Sequence, residues 1–230
     1  MKRLFIVVEG QTEQEFVNSL LAPYLGNSGI HVVTPILIRT SKSGRGGFVN
    51  YQHLENTING LLKTSASTDF IVTTFVDFFR IPTNMPEYAT SMAEPTKTRQ
   101  VELLERAFYN AINDKRFISY IQLHEFEALL FSNNNGFEYY FKDKQATATK
   151  DIVDDYQNPE EINTTPQGAP SKRILTINEE YDKVTEGNLI ALEVGIIAIL
   201  SRCPRFKAWV DYLIVCCSNL PFDWKQKVPV

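Results

Sequence analysis

The sequence predicts an α/β fold with a mostly parallel sheet of four strands, or slightly more, flanked by helices and followed by a helical C-terminal extension. Short apolar runs typical of strands buried on both faces alternate with segments of helical periodicity. Strands that alternate with helices favour parallel pairing through right-handed crossovers. Beyond residue 143 the periodicity is mostly helical. We therefore expect an α/β core over residues 1–143 and a helical region packed on it over residues 144–230.

The first strand and helix form the unit from which the prediction starts. Leu4–Val8 is a continuous apolar run that ends at Glu9 and Gly10. Thr12 and Glu15 have the T-x-x-E spacing of a capping box, which predicts a helix with Thr12 as its N-cap. Glu9 then lies at the carboxyl end of a strand, the edge at which open α/β sheets bind ligands. The alternative roles for Glu9 are a solvated turn residue or a second cap.

The second strand is predicted over His31–Ile38, after a connection from Pro23 to Gly29. Pro35 favours an edge position or a bulge, because proline cannot donate to a strand ladder. The glycine-rich basic segment Arg39–Gly47 follows, and its backbone and cations can hold phosphates, although a mobile surface loop is the alternative. The candidate phosphate ligands in this segment are Arg39, Lys42 and Arg45.

The third strand also ends in an acid. A helix is predicted over Tyr51–Lys63 and a buried strand over Asp69–Val76, which leads directly into Asp77. The segment Phe78–Pro95 has three prolines and no clear period. It is long for a connection in a compact domain, which predicts either a functional lid or disorder.

The fourth strand, predicted over Phe117–Leu123, repeats the pattern of a strand, an acid and a helix. His124 and Glu125 follow it directly, and Glu127 comes two residues later. Both glutamates fall in or just before the first helical turn, where the helix dipole favours anions. Capping alone can therefore explain one of them.

The C-terminal region is predicted to be mostly helical. An amphipathic segment covers Gln145–Tyr156, and a helix runs from Ser171 to about Val184. Leu189–Leu200 is strongly apolar, which predicts burial, and a last helix begins at Pro204 with Trp209 on its inward face.

The acids at the strand ends form the candidate site. Carboxyl ends of parallel strands share one edge of the sheet, so Glu9, Asp77 and Glu125 are expected to converge there. Clustered carboxylates need a cation or shared protons, and hard oxygen ligands suit Mg²⁺ or Mn²⁺. Such an ion can bind a phosphodiester and activate water. The candidate metal ligands are Glu9, Asp77 and Glu125; the candidate catalytic residues are Glu9, Glu13, His124 and Glu127.

Some of these roles stay open at the sequence level. Glu13 lies in the first helical turn, where dipole stabilisation explains it equally well. His124 is a general acid or base, a ligand, or a core residue bonded to the backbone. Lys172 and Arg173, at the start of a predicted helix, join the other basic residues as candidates for offsetting phosphate charge.

Composition narrows the class of protein. The chain has 230 residues and a formal net charge of −4, so nucleic-acid binding would require a local basic surface or metal ions. Its three cysteines give neither a disulfide framework nor a zinc spacing. The apolar run after the N-terminus is too short for a signal peptide, and no apolar stretch reaches the roughly 18 residues of a membrane helix. We therefore expect a cytoplasmic protein that does not insert into membranes.

Several motifs resemble a known family. VVEGQTEQEF is similar to the first motif of Toprim domains, which occur in topoisomerases, primases and overcoming-lysogenization-defect (OLD-type) nucleases. VEGQTEQEF, TTFVDFF, YIQLHEFEALLF, PSKR and the segment ending in RCPRF together resemble a bacterial family catalogued as domain of unknown function 4276. This resemblance covers nearly the whole chain, and YIQLHEFEALLF is its most specific part.

The resemblance implies a Toprim-like core and metal-dependent chemistry on nucleic acid. Glu9 matches the Toprim glutamate and Asp77 the first acid of the Asp-x-Asp motif, but Phe79 stands at the position of the second acid. Glu125 or Glu127 can supply the missing ligand from the next strand end. A degraded site, or one rebuilt for another phosphate ligand, is the alternative.

Three functions follow from this reading. The first is a divalent-metal-dependent nuclease or related phosphoryl-transfer enzyme acting on nucleic acid; the resemblance adds bacterial defence as its setting. The second is a catalytically degenerate Toprim-like subunit that docks on an ATPase. The third is a nucleotide- or phosphate-binding protein that uses the same edge of the sheet. Fold analogy alone does not choose among them.

Overall fold

A computed structural model describes residues 2–39, 50–64, 67–162 and 166–217. Its strands pair in parallel throughout, in the order β2-β1-β3-β4, with β5 continuing the edge beside β3. This confirms the predicted α/β class and parallel sheet. The strands are β1 (Arg3–Val8), β2 (Val33–Leu37), β3 (Phe70–Asp77), β4 (Phe117–Ile118) and β5 (Ile121–Gln122).

Helices pack on both faces of the sheet and make up the C-terminal region. Their bounds are α1 (Gln11–Phe16), a π-helical turn (Val17–Leu21), α2 (Ala22–Asn27), α3 (Tyr51–Lys63), α4 (Tyr88–Met92), α5 (Lys97–Ile112), a 3-10 helix (Phe126–Ser132), α6 (Asn135–Tyr140), α7 (Asp143–Asp155), short 3-10 turns (Pro159–Glu161 and Pro166–Gly168), α8 (Pro170–Ile177), α9 (Glu186–Val194), α10 (Ile196–Arg202) and α11 (Pro204–Cys217).

Two hydrophobic clusters lie on opposite faces of the sheet. Leu4, Ile6 and Val8 of β1 join the cluster formed with α9, α10 and α11, whereas Val7 joins the cluster formed with α3 and α5. Successive side chains of a strand point to opposite faces, so one apolar run supplies both clusters. The C-terminal helices therefore share a core with the sheet. No helix within the described ranges has the length and apolarity to cross a membrane.

The first helix begins earlier than the capping-box pattern predicts. Gly10 is the N-cap and the helix starts at Gln11, so the prediction of Thr12 as N-cap is wrong. The Gly10 N–H donates to Glu13 Oε2 at 2.9 Å, and this contact closes the turn directly after β1. The predicted connection from Pro23 is also wrong, because a π-helical turn precedes the proline and the helix continues through it.

The edges of the sheet explain two further features. Pro35 lies in β2, which is an edge strand, as its missing N–H predicts. The predicted fourth strand is interrupted at Tyr120 between β4 and β5. There the Thr74 hydroxyl donates to the Tyr120 carbonyl at 2.7 Å and accepts from its N–H at 3.0 Å, replacing backbone pairing with side-chain hydrogen bonds.

Three further segments differ from their predictions in order, length or burial. The segment after β3 is ordered, because Phe78, Ile81 and Met85 are buried in the cluster beside α3 and α5. The helix α8 ends at Ile177, short of Val184. The predicted buried run Leu189–Leu200 is split at Gly195, and Ile197 within it is 67% exposed.

Candidate functional site

The register of the sheet brings acids from separate strands to one edge. β1 and β3 are parallel neighbours with Val8 opposite Phe75, so Glu9 and Asp77 emerge at the same carboxyl edge. Glu13 lies in the first turn of α1, and Glu127 lies in the 3-10 helix that follows β5. We call Glu9, Glu13, Asp77 and Glu127 the acidic edge.

Lys183, from the turn between α8 and α9, is the cation of the acidic edge. Its Nζ lies 3.3 Å from Glu127 Oε1, 3.7 Å from Glu13 Oε1 and 3.9 Å from Asp77 Oδ2. Its side chain is 40% exposed, whereas that of Glu127 is 0% exposed. Burial lowers the pKa of the Lys183 amine, but the surrounding carboxylates outweigh this effect and raise the pKa above its ordinary value. The ammonium therefore stays charged and reaches solvent from a buried ring of acids.

Asp77 is fixed by one oxygen and faces Lys183 with the other. Its Oδ1 accepts the Phe126 N–H at 3.0 Å, which joins the end of β3 to the start of the 3-10 helix. Burial raises the pKa of Asp77 well above its usual range. Lys183 opposes the shift, and the charges of Glu13, Glu9 and Glu127 add to it. Glu9 therefore acts on Asp77 electrostatically, which places it in the same cluster.

Glu127 is the least satisfied acid of the cluster. It is fully buried, and neither carboxylate oxygen has a hydrogen-bond partner within the described residues. Burial raises its pKa, and Lys183 partly offsets the rise. Burial raises the pKa of the nearby Tyr181 hydroxyl, and the Glu127 charge adds to the rise. The Tyr181 oxygen is also buried with no described hydrogen-bond partner. Buried polar atoms without partners are rare and mark this corner of the site.

Glu13 and Glu125 have structural contacts of their own. Glu13 uses Oε2 to hold the Gly10 N–H, and a Cβ at Gly10 would lie only 3.2 Å from that oxygen. Glu125 accepts the Ser171 N–H and the Ser171 hydroxyl, each at 3.0 Å, on its two oxygens. It thereby anchors the N-terminal turn of α8. Its charge still contributes to the raised pKa of Lys183.

His124 occupies a strained backbone position beside the site. Its φ of 70° lies in the left-handed region, which is uncommon for a residue with a side chain. Its carbonyl accepts the Phe79 N–H at 2.8 Å. Burial and the nearby charge of Lys97 lower the pKa of its imidazole to about 4, so the ring is neutral at neutral pH.

The predicted phosphate ligands differ in whether their side chains are free to contact a ligand. Arg39 is exposed just beyond β2, at the same carboxyl edge as Glu9. Lys172 is exposed in the first turn of α8, next to the serine that Glu125 holds. Arg173 instead donates to the Gly168 carbonyl at 2.8 Å and to the Tyr156 hydroxyl at 3.2 Å. The predictions for Lys42 and Arg45 fall outside the described residues.

Sequence reasoning missed the residues contributed by the C-terminal region. Lys183 and Tyr181 were predicted to lie within a regular helix, and no sequence motif distinguishes them from the residues around them. Asn188 was also missed; its Nδ2 donates to the Thr12 carbonyl at 3.2 Å and ties α9 to α1. Around Lys183 the sequence offers only a single lysine in a segment poor in proline and glycine. Such a pattern is too common to identify a functional site.

The residues at the acidic edge match Mg²⁺ or Mn²⁺ in donor type. Carboxylate oxygens are the ligands these ions prefer, and both oxygens of Glu127 lack hydrogen bonds to described residues. Across the described ranges, no three His, Cys, Asp or Glu side chains are arranged as ligands of a single ion. Lys183 Nζ takes the point on which three carboxylates converge. The donor set fits the ion, and binding would require those carboxylates to turn from the ammonium.

Comparisons with known proteins give a family and a set of similar folds. The family model described as "Domain of unknown function (DUF4276)" matches residues 8–214. No curated protein matches the chain.

Solved structures that are similar to this chain include C-terminal regions of OLD proteins. That of Burkholderia pseudomallei is 15% identical, with 93% of this chain and 99% of that chain covered and a TM-score of 0.41. That of Xanthomonas campestris pv. campestris, phased with mercury, is 13% identical, with 93% and 98% covered and a TM-score of 0.39. The same protein phased with platinum is 13% identical, with 92% and 95% covered and a TM-score of 0.38.

Proposed function

Since this chain belongs to the DUF4276 family, whose description names no activity, we propose its function from the acidic edge. We propose a divalent-metal-dependent nuclease or related phosphoryl-transfer enzyme that acts on nucleic acid. The observation that carries the proposal is the convergence of Glu13, Asp77 and Glu127 on the exposed ammonium of Lys183, at the edge where parallel sheets bind ligands.

The acidic edge carries more negative charge than Lys183 can neutralise. Glu13, Asp77 and Glu127 each lie within 4 Å of the one ammonium, and Glu9 adds its charge to the field at Asp77. Asp77, Glu127 and Glu9 would hold Mg²⁺ or Mn²⁺. When bound, such an ion supplies charge stabilisation for a phosphodiester oxygen and a water of lowered pKa.

The chain's own cations would receive the phosphate. Lys183 presents an ammonium that the carboxylates keep charged and in place, so it can donate hydrogen bonds to a non-bridging phosphate oxygen. Arg39 is exposed just after β2, and Lys172 is exposed in the first turn of α8. From these positions they can contact the flanking backbone of the nucleic acid. Because the whole chain is acidic, these local charges would have to orient the substrate.

Glu127 is the best-placed proton acceptor among the acids. It is fully buried, it has no hydrogen bond to a described residue, and burial raises its pKa above the ordinary value of a glutamate. A carboxylate with these properties is suited to general-base work. His124 is held neutral by its lowered pKa, so it would act as a hydrogen-bonding group or an acceptor and not as a cation.

A cleavage assay tests the proposal. Plasmid DNA, single-stranded DNA and RNA are incubated with the protein and Mn²⁺ or Mg²⁺. We expect Glu9→Gln and Asp77→Asn to lower the cleavage rate by about 100-fold or more, as expected for loss of a metal ligand. Asp69→Asn is the matched control, because Asp69 precedes the same strand at its opposite end and is exposed. Cleavage that survives both acidic-edge substitutions overturns the proposal.

A second candidate, a non-catalytic subunit docked on an ATPase, is favoured by Phe79. This residue replaces an acid of the motif that the sequence resembles, and the Arg80 guanidinium lies 5.2 Å from its ring centre. Leu189, Leu192 and Ile197 also form exposed apolar surface on α9 and α10. Absence of both cleavage and metal binding in folded wild-type protein would favour this candidate.

A further inference from the structure

A cavity of about 610 Å³ lies between α5 and α11 at the β4 edge of the sheet. Residues of α5 form one wall, residues of α11 form the other, and β4 with the start of β3 forms the floor. The volume falls within the range of small-molecule sites, roughly 300–1,000 Å³. The acidic edge does not line this cavity, so a ligand bound here would be separate from the proposed catalytic chemistry.

Several aromatic side chains line the cavity. Tyr120 and Trp209 line it as a stacked pair with ring centres 4.4 Å apart. The Trp209 Nε1–H donates to Thr73 Oγ1 at 3.0 Å, so its polar atom is already satisfied. Phe117 and Tyr212 also line the cavity. Flat aromatic bodies are the ligands that pack best against such edges and faces.

The charges of the cavity are divided between two groups. Arg99 pairs with Glu102 at 3.1 Å, and Arg205 pairs with Glu105 at 2.8 Å. In contrast, Lys2, Arg106 and Lys115 line the cavity without an ion pair to another described residue. The residues that line the cavity therefore carry a net positive charge, although the formal net charge of the whole chain is −4.

Two of the unpaired cations, Lys2 and Lys115, lie just before strands, and Arg106 lies within α5. Burial raises the pKa of the Cys216 thiol at the end of α11, and Lys2, which precedes β1, lies close enough to oppose part of that rise. Lys115 lies between the end of α5 and β4. These positions are at the amino ends of the strands, opposite the acidic edge. An anion held there would have its body against the aromatic interior.

We propose that this cavity binds a small aromatic carboxylate, with its ring system against Tyr120 and Trp209 and its carboxylate at Lys2, Arg106 and Lys115. The cavity size sets the upper limit of the ligand, the aromatic lining selects a flat body, and the unpaired cations select the negative charge. This site is independent of the proposed nuclease function.

Calorimetric titration of 2-naphthoate into the full chain tests the proposal. We expect saturable binding, with 2-naphthamide, the uncharged analogue, binding about tenfold more weakly because three solvent-accessible cations each contribute modestly. The combined variant Lys2→Ser, Arg106→Ser and Lys115→Ser should bind 2-naphthoate about tenfold more weakly and leave 2-naphthamide unchanged. The combined variant Lys63→Ser, Lys142→Ser and Lys144→Ser is the control, since it makes the same change in charge on exposed residues outside the cavity.

A second variant tests the cavity without changing charge. Ala208 lines the cavity and is partly exposed, so Ala208→Phe fills the space from one wall and should abolish binding of both compounds. Circular dichroism and the melting temperature verify its fold. No saturable binding by the wild type, equal binding by both triple variants, or binding that survives in folded Ala208→Phe would each overturn the proposal.

Discussion

Buried acids in this chain differ in how their oxygens are satisfied. Glu160 accepts the N–H groups of Arg205 and Phe206, at 2.8 Å and 3.1 Å, and thereby holds the start of α11. Glu125 similarly holds Ser171 at the start of α8. Neither carboxylate oxygen of Glu127 has such a hydrogen bond among the described residues, although the Lys183 ammonium lies 3.3 Å from its Oε1. This contrast separates acids that hold the start of a helix from an acid that accepts no hydrogen bond from a described residue.

Glu127→Gln should stabilise the ligand-free protein at high pH. The folded-state pKa of Glu127 is raised, so folding favours the protonated form and stability falls as pH rises through the folded pKa. Gln mimics the protonated form. We expect the free energy of unfolding to rise by about 1 kcal/mol at pH 8 and to change little at pH 5, measured by urea denaturation.

The exposed Glu161→Gln is the control for this measurement and should change stability by less than about 0.5 kcal/mol at either pH. A Glu127→Gln variant that is less stable than the wild type at pH 8 would show that the attraction of Lys183 for this carboxylate outweighs the free-energy cost of burying its charge.

Lys183→Gln should instead destabilise the protein, and more strongly at high pH than at low pH. The raised pKa of Lys183 means that its contribution to stability is present below its unfolded pKa, and its carboxylate partners are most fully ionised at high pH. Removing the ammonium should therefore lower the melting temperature more at pH 8 than at pH 5. Equal losses at the two pH values, measured by differential scanning calorimetry, would contradict the electrostatic account.

Among the helices and strands, hydrophobic periodicity in the sequence predicted those elements that depend mainly on local interactions. The bounds of α3 match the prediction at Tyr51–Lys63, and the buried runs of β1 and β3 are strands as expected. The interruption at Tyr120 was not predictable, because it depends on Thr74 from a distant strand. Lys183 was missed for the same reason: its partners come from α1, β3 and the 3-10 helix, and no spacing in the sequence records that convergence.

The interruption between β4 and β5 depends on one hydroxyl. Thr74→Val preserves the shape of a fully buried side chain and leaves the Tyr120 N–H and carbonyl without their partner. We expect the free energy of unfolding to fall by about 1–3 kcal/mol in urea denaturation. The exposed Thr176→Val should change it by less than about 0.5 kcal/mol. A neutral Thr74→Val would mean that the backbone groups pair directly with each other or with water.

The anchoring of α8 provides a test of Glu125. Glu125→Ala removes both acceptors of Ser171 and should lower the free energy of unfolding by about 1–2 kcal/mol, typical of a lost cap. If its main role is to hold α8, the Mn²⁺ affinity should change less than in Asp77→Asn. An equal loss of Mn²⁺ affinity in the two variants would support the sequence-based prediction that Glu125 is a metal ligand.

At the scale of the whole molecule, the acidic edge is assembled from both ends of the chain. Lys183 and Asn188 reach α1, and the C-terminal helices share a hydrophobic cluster with β1 and β3. The carboxyl edge itself was predictable, since strands that end in acids must meet there if the sheet is parallel. The cation that completes it was not, because the turn carrying Lys183 is positioned by packing across the whole fold.

The proposed function requires the acidic edge to bind a divalent cation. Isothermal titration of Mn²⁺ at pH 8 into wild type, Asp77→Asn and the control Asp69→Asn measures this binding, with a repeat in the presence of a short DNA duplex. We expect saturable binding in wild type and Asp69→Asn that is weakened at least about tenfold in Asp77→Asn. No binding by wild type with or without DNA, or equal binding by all three proteins, would rule out a metal site at the acidic edge.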